Sequence, residues 1–408
     1  MELLSDVKHS VTSELSGIHQ ALTREAAVHN DYSLMQGLAG VNLFLAQHYQ
    51  YQPVKNDADL AVIHDLCNRI AEQCGSVDDL SFARGLSGML WSLSYVNRLF
   101  DHSLLDTGSF DDIDADLYAS LQDKMDNGNF DLLFGSLGDY IYLRERNAIR
   151  NPEDFAALYH KVIKASTYGV NKKYFWLDYM NVKLGKGYAY NLGLAHGIPS
   201  MWYLLTDIAG FLPAAAQQEI AGIICDSYEA MKTFSINGDD LQFSKFPTEI
   251  RLDDQLQERT DYNRRSTRLS WCYGDLAIAS TLLHAGKQLQ HKGLYAEGLA
   301  LADRTLKRDT RGSAVIYDNC LCHGGSSCIL IYNAIYRTTG LQRFRDASIY
   351  WYEQGLDFKR GDGYFFYEDK DVPLAEKSSL LEGLTGIGLS YQSLVQPATS
   401  DWQKILLL

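Results

Sequence analysis

The sequence predicts an all-α fold, a closed α/α toroid of seven inner and seven outer helices with hairpin and loop excursions over one end. Three observations predict it. A glycine followed by small and apolar residues recurs seven times, each recurrence opens a nearly uncharged stretch of helical length, and longer amphipathic stretches lie between them. A repeat that cannot bury its apolar face alone buries it against its neighbours. Closure of seven such units into a ring accounts for the lack of a polar capping repeat at either end.

The recurrences are Gln36-Gly37-Leu38, Arg84-Gly85-Leu86, Phe134-Gly135-Ser136, His196-Gly197-Ile198, Tyr273-Gly274-Asp275, His323-Gly324-Gly325 and Glu382-Gly383-Leu384. The stretches that follow, such as 41–49, 89–96, 200–205, 276–283 and 328–336, read as buried inner helices. Segments 4–24, 57–74, 113–124, 153–165, 215–232, 295–307 and 342–353 carry more charge and read as outer helices with one wet face. Glycine before each inner helix fits a tight turn that needs positive φ or close backbone approach. All seven turns then share one end of the toroid, and residues one or two places before each glycine become neighbours in a ring.

Three segments depart from the repeat. Residues 169–193 and 358–368 are aromatic and punctuated by glycine, and each predicts a short hairpin. Residues 234–267 are polar and mixed in charge, the longest excursion between successive glycines. All three precede an inner helix, so they are expected over the mouth of the ring, as loops that bind an extended peptide or as surface loops without function. One domain over residues 1–408 is expected, with 234–267 as an excursion within it.

Composition excludes several classes. A formal charge of -14 and the lack of a Lys/Arg block argue against a nucleic-acid binder, since Lys172-Lys173 and Arg264-Arg265 are isolated pairs. With 46% hydrophobic and 22% charged residues and no low-complexity tract, the chain reads as globular. The start, Met1-Glu2-Leu3-Leu4-Ser5-Asp6, has neither a basic leader nor an apolar run, and no uninterrupted stretch is long enough to span a bilayer. The expected location is the cytoplasm. Seven cysteines, an odd number, suit metal binding better than a disulfide framework.

The chemistry concentrates in three consecutive turns. Cys272-Tyr273-Gly274 and Cys322-His323-Gly324 share a Cys-x-Gly core, and Ala195-His196-Gly197 sets a histidine at the same place before its glycine. Two thiolates and an imidazole are ligands that Zn²⁺ prefers, and three protein ligands leave a fourth position open, as in catalytic sites. The chain has no Cys-x2-Cys pair, so the fold must bring the ligands together. Cys67, Cys74, Cys225, Cys320 and Cys328 read as small buried or surface residues, with Cys320 and Cys328 close enough to the proposed ligands to stand as alternatives. Asp131 precedes Gly135 by four residues, and Arg268 precedes Cys272 by four. Gln36, Arg84 and Glu382 lie beside their glycines, where a solvated or salt-bridged role is the simpler reading.

With its seven glycine repeats and the segments Ala195-His196-Gly197, Trp271-Cys272-Tyr273-Gly274 and Cys322-His323-Gly324, the chain resembles the lanthionine synthetase C (LanC) family over essentially its full length. The resemblance implies a seven-fold α/α barrel and one zinc ion per chain, bound by Cys272, Cys322 and His323. It implies a cyclase that adds peptide cysteines to dehydroalanine or dehydrobutyrine in the same dehydrated precursor peptide, forming lanthionine or methyllanthionine rings. By the same resemblance His196 and Asp131 correspond to an acid/base histidine and its carboxylate, and Arg268 and Tyr273 to polar residues around the zinc. The repeats begin near residue 1, which resembles the stand-alone cyclase acting after a separate dehydratase. The expected partners are the precursor peptide and a dehydratase and exporter complex at the membrane, to which the chain would be peripheral.

The expected mechanism begins from a thiol of pKa about 8.5, only partly ionised at neutral pH. Zinc would favour the thiolate, and attack on the β-carbon would leave an enolate that needs stabilisation and a proton. His196 is expected to donate that proton with Asp131 behind it, and Arg268 to meet the enolate oxygen. Tyr273 either donates a hydrogen bond there or packs, and Asp131 and Arg268 have a mutual ion pair as their alternative role. Competing readings are an enzyme that adds glutathione or another free thiol to dehydroamino acids, and a non-catalytic zinc toroid that binds peptides. A toroidal glycoside hydrolase would need a carboxylate pair, nominally Asp131 and Glu382, and would leave the Cys-Cys-His cluster without a purpose.

Overall fold

The computed structural model describes the chain except residues 1–4, 107, 167–173, 237, 239, 260, 262–265, 360–376 and 397–400, and the side chain of residue 109. Seven helices form an inner ring: α2 (Leu38–Tyr51), α4 (Leu86–Leu99), α6 (Ser136–Glu145), α9 (Ile198–Ala209), α11 (Asp275–Gln288), α14 (Gly325–Thr339) and α16 (Leu384–Val395). Seven form the outer ring: α1 (Ser5–Ala26), α3 (Asp57–Cys74), α5 (Asp111–Asp126), α7 (Pro152–Lys164), α10 (Ala214–Lys232), α12 (Lys292–Thr305) and α15 (Gln342–Leu356). Two short helices, α8 (Tyr179–Lys183) and α13 (Arg311–Ala314), lie in connections. The ring closes where α16 packs against both α1 and α2.

Burial follows the sequence pattern. Along α4 every residue from Leu86 to Asn97 is buried, whereas α1 buries only the stripe Val11, Leu15, Ile18, Ala21, Leu22 and Ala26. Inner helices are therefore packed on all sides, and outer helices keep one face in water.

Each inner helix begins at its glycine, and the glycine is needed for close approach. In four of the turns the N–H after the glycine bonds to the carbonyl six residues before it: Leu38 to Asp31 at 2.8 Å, Leu86 to Asp79 at 2.8 Å, Ser136 to Asn129 at 2.9 Å and Gly325 to Asp318 at 3.0 Å. A Cβ on Gly85 would stand 2.0 Å from the Asp79 oxygen, and one on Gly197 would stand 2.1 Å from that of Asn191. Both glycines are extended, so sterics rather than a left-handed conformation exclude a side chain. Gly274 differs, with φ of 122°.

Adjacent turns are tied by main-chain bonds between the residues two before each glycine. Met35 donates to Ala83 (3.1 Å), Ala83 to Leu133 (2.9 Å), Cys272 to Cys322 (3.2 Å), Cys322 to Leu381 (2.8 Å) and Leu381 to Met35 (3.4 Å). The opposite end of the ring is filled by a 3₁₀ segment, Asp401–Leu406, whose Trp402, Ile405 and Leu406 are buried. This segment carried no periodic signal and was not anticipated from the sequence. Arg98 and Arg337, in the last turns of α4 and α14, reach its Asp401 and Gln403.

Among the described residues, excursions 169–193 and 234–267 pair with each other. Strand β1 (Ala189–Asn191) runs antiparallel to β2 (Glu249–Arg251), with Tyr190 opposite Ile250. The reason is apolar: Tyr190 and Ile250 are buried, and the Phe175 ring lies tilted 4.8 Å from that of Tyr190 and edge-on 6.0 Å from that of Phe234. Segment 234–267 is thus polar on its surface and anchored by Phe246, Ile250 and Leu252, and the Asp275 carboxylate takes the N–H of Lys245 at 2.6 Å and of Phe246 at 3.1 Å. Of the hairpin expected over 358–368, residues 360–368 lie outside the described residues, as do Lys172, Lys173, Arg264 and Arg265.

Replacing Gly85 by Ala is expected to destabilise the protein by about 1–3 kcal/mol, because the methyl group meets backbone. Gly17, exposed in the middle of α1 with nothing within 4 Å of its added Cβ, is the control. There Ala is expected to stabilise by about 0.5–1 kcal/mol. Urea denaturation of both variants checks the contrast, and equal effects would sink the close-approach argument.

Candidate functional site

The turn register decides which side chains meet. Cys272 and Cys322 occupy the same place, two before glycine, in adjacent turns joined by the main-chain bond between them. His323, Tyr273 and His196 each stand one before glycine. The ligand atoms of Cys272, Cys322 and His323 lie within 4.8 Å of one another. A tetrahedral site with bonds of about 2.3 Å sets its sulfurs about 3.8 Å apart, so this donor set suits Zn²⁺ in both spacing and softness.

The two thiols share their protons unequally. The hydrogen bond from Cys322 lowers the Cys272 pKa against the cost of burial, helped by His323, Ser270 and His196, while that same contact and burial push Cys322 upward. A second group, Asp318, Cys320 and His323, also has its ligand atoms within 4.8 Å of one another. That group offers one sulfur where the first offers two. The donor chemistry favours the two-thiol set, and Asp318 stands behind it, with Oδ2 3.4 Å from His323 Nε2.

His196 faces the same ring from the next turn. Its Nδ1 lies 2.5 Å from Asp131 Oδ2. Asp131 occupies the place four before glycine, where Ser81 and Ser379 accept main-chain N–H groups in their own turns. Asp131 Oδ1 does the same, taking the N–H of Leu133 and of Phe134, each at 2.8 Å. A serine has one oxygen for the turn, whereas the carboxylate has a second for the histidine. Burial opposes charge on His196, but the hydrogen bond and charge of Asp131, with Asp178 and Cys272 beyond, raise its pKa above 6.5.

Arg268 occupies the place six before Gly274, where five of the other six turns have Asp or Asn, and its positive charge acts on His323. The segment around it is clamped by buried Arg308, which bonds the Thr267 carbonyl at 2.5 Å. Tyr273 borders a cavity of about 580 Å³ between the excursions, lined also by Asp178, Lys186, Glu249, Arg251 and Arg259. Burial, then the charges of Cys272, Asp178 and Glu249, push its phenol up to about 12, so it remains a hydrogen-bond donor. Arg84 and Glu382 are exposed and Gln36 half-buried. The structure thus brings Cys272, Cys322 and His323 into one cluster, pairs His196 with Asp131, and sets Arg268 and Tyr273 nearby.

Sequence reasoning missed Asp178, Asn191 and Asp318, and gave Trp271 no role of its own within its motif. Asp178 Oδ2 accepts from the Asn191 amide at 2.8 Å, and Asn191 in turn bonds the Gly193 N–H at 2.9 Å. Trp271, beside Cys272, donates its indole N–H to the Leu406 carbonyl at 2.8 Å, which ties the cluster to the 401–406 segment. The missed signal was the Asp or Asn six before glycine, present as Asp31, Asp79, Asn129, Asn191 and Asp318.

A toroid with a Cys-Cys-His cluster that could hold a metal and a His-Asp pair in its turn ring defines a class of α/α barrel. A family model described as lanthionine synthetase C-like protein matches residues 28–407, and the chain belongs to that family. Among solved structures it is similar to nisin cyclase, with a TM-score of 0.70 and 16% identity over 99% of this chain and 98% of that one, a likeness of fold. No curated protein matches the sequence. Among the described residues no helix is long and apolar enough to cross a membrane.

Asp131→Ala is expected to cost about 1–3 kcal/mol, since two buried N–H groups lose their acceptor. Asp131→Ser should recover part of that loss by restoring the turn acceptor, without restoring the partner of His196. Thermal or urea unfolding of the pair tests the two-oxygen division, which fails if Ser is no better than Ala.

Proposed function

We propose that this protein is a zinc-dependent lanthionine cyclase, adding cysteine thiols of a dehydrated precursor peptide to dehydroalanine or dehydrobutyrine residues of the same peptide. The observation that carries this reading is the Cys272, Cys322 and His323 cluster, set in one turn ring with the His196–Asp131 pair. Cys272, Cys322 and His323 would hold one zinc ion per chain. Bound zinc supplies an acid strong enough to keep the substrate thiol ionised at neutral pH.

The addition balances without a further reactant: the S–H proton leaves, a C–S bond forms at the β-carbon, and a proton arrives at Cα. With Nδ1 on Asp131, His196 has Nε2 left to deliver the proton that arrives at Cα, while the thiol proton leaves to solvent. Asp131 holds the ring in this orientation and favours its charged form. Arg268 stabilises the enolate oxygen, and Tyr273 contributes a neutral O–H donor. The cavity beside Tyr273 is wide enough for peptide side chains and mixes both charge signs, which suits a polar extended substrate. A dehydratase supplies the substrate, and together with an exporter completes a membrane-associated complex at the cytoplasmic face.

Purified wild type and His196→Ala are expected to contain one zinc per chain, and Cys322→Ala none. Cyclisation of dehydrated peptide, followed by loss of thiol-alkylation sites, should fail in both variants. A folded wild type without stoichiometric zinc would remove the basis of the proposal, and product formed only with added glutathione would move it to intermolecular thiol addition.

The pH dependence has a definite sign. The His196 pKa is raised, so the protonated donor persists above 6.5 and activity falls as pH rises through that raised value. Asp131→Asn removes the charge that raises it, and the alkaline limb of kcat/KM should move to lower pH. An unmoved limb would show that another group donates the proton.

A further inference from the structure

Resting on the zinc reading above, we infer that Asp318 is a positioning residue for the metal centre, holding His323 by its Nε2 so that Nδ1 is the nitrogen presented to the metal. Asp318 is buried, 1% exposed, and uses its two oxygens for different tasks. Oδ1 accepts the Cys320 N–H at 2.9 Å and shapes the turn that carries Cys322 and His323. Oδ2 lies 3.4 Å from His323 Nε2. A metal-bound imidazole needs its other nitrogen protonated and held, and a buried carboxylate serves that purpose.

Asp318 acts through His323 and is not itself a ligand. Its Oδ1 is committed to the main chain, and its thiol neighbour Cys320 is fully buried in the same turn. The turn does not require a carboxylate at this place. In the fourth repeat Asn191 stands there and accepts the Gly193 N–H at 2.9 Å through its Oδ1. The second oxygen of Asp318 is therefore surplus to the turn and available to the histidine. Two histidines of one ring thus face carboxylates through opposite nitrogens, His196 by a 2.5 Å hydrogen bond at Nδ1 and His323 by a looser 3.4 Å contact at Nε2.

Asp318→Asn separates these roles. The amide oxygen can still accept the Cys320 N–H, which turns the NH2 group towards Nε2. To accept from it His323 must carry its proton on Nδ1, the nitrogen the metal needs. The variant is expected to fold with a wild-type circular dichroism spectrum and melting temperature, and to bind one zinc about 10- to 100-fold more weakly in chelator competition. With Co²⁺ as probe, the sulfur charge-transfer bands should keep wild-type intensity at saturation, since both cysteines remain. Asp318→Ser, which retains an acceptor for the turn but none for His323, should show the same weakening and serves if the amide disturbs folding.

Zinc affinity within twofold of wild type in both variants would overturn the inference while leaving the cyclase reading intact. Loss of charge-transfer intensity at saturation would overturn it in another way, by showing that the metal sits on a different donor set. Wild-type protein that binds no zinc would sink this inference and the function together. Cys320→Ala, expected to bind zinc as wild type does, excludes the alternative cluster of Asp318, Cys320 and His323.

Discussion

The carbonyl oxygen six residues before each turn glycine shapes the site end of the molecule. In four of the seven turns it receives the first N–H of the inner helix, and the chain folds so closely around it that a Cβ on Gly85, Gly197 or Gly274 would stand about 2 Å away. A helix entry built this way is rigid and repeats with little variation. Side chains at fixed offsets from the glycine therefore reach equivalent places around the axis. Chemistry enters through substitution at an offset, with the backbone unchanged.

The gap in the main-chain ladder shows how this works. The Leu133 N–H, which by analogy with Ala83 would bond to the next turn, is taken by Asp131 Oδ1 instead. A serine-like turn position has become a carboxylate, and beyond it stands His196. On the other side of the ring the ladder is intact between Cys272 and Cys322, so the two thiols are adjacent because their peptide groups are bonded. One departure frees a histidine to exchange protons, and one regular step fixes a metal-ligand pair.

The seven-fold helical pattern was legible because it is local: glycine, then an apolar run, then an amphipathic run. The cluster was legible for the same reason, since Cys272, Cys322 and His323 lie at constant offsets from their glycines. What escaped depends on long-range contact. Residues 189–191 carry a strand pattern, but their partner lies at 249–251, and aromatic packing of Tyr190 and Phe175 fixes the choice. The 401–406 segment is buried only because a ring exists for it to fill. Asp318 was overlooked since an acidic residue five places before a histidine has no helical or strand meaning. Its significance follows from the turn, which returns the chain upon itself.

The electrostatics of the ring follow from what it buries. Asp131 and Asp318 are each at most 5% exposed, and a thiolate at Cys272 adds to their charge. Buried negative charge of this density calls for positive partners close by, because water cannot supply them. Arg268 and His196 are the cationic side chains that the chain itself brings to the cluster, and a divalent cation between the thiols would be a third. Removing the carboxylates would relieve the imbalance, yet each is fastened to main-chain N–H groups that would then lose their acceptor. The fold and the charge state of the site are therefore coupled: Asp131, which closes its own turn, also raises the His196 pKa, so the turn architecture itself favours a proton donor beside a pair of thiols.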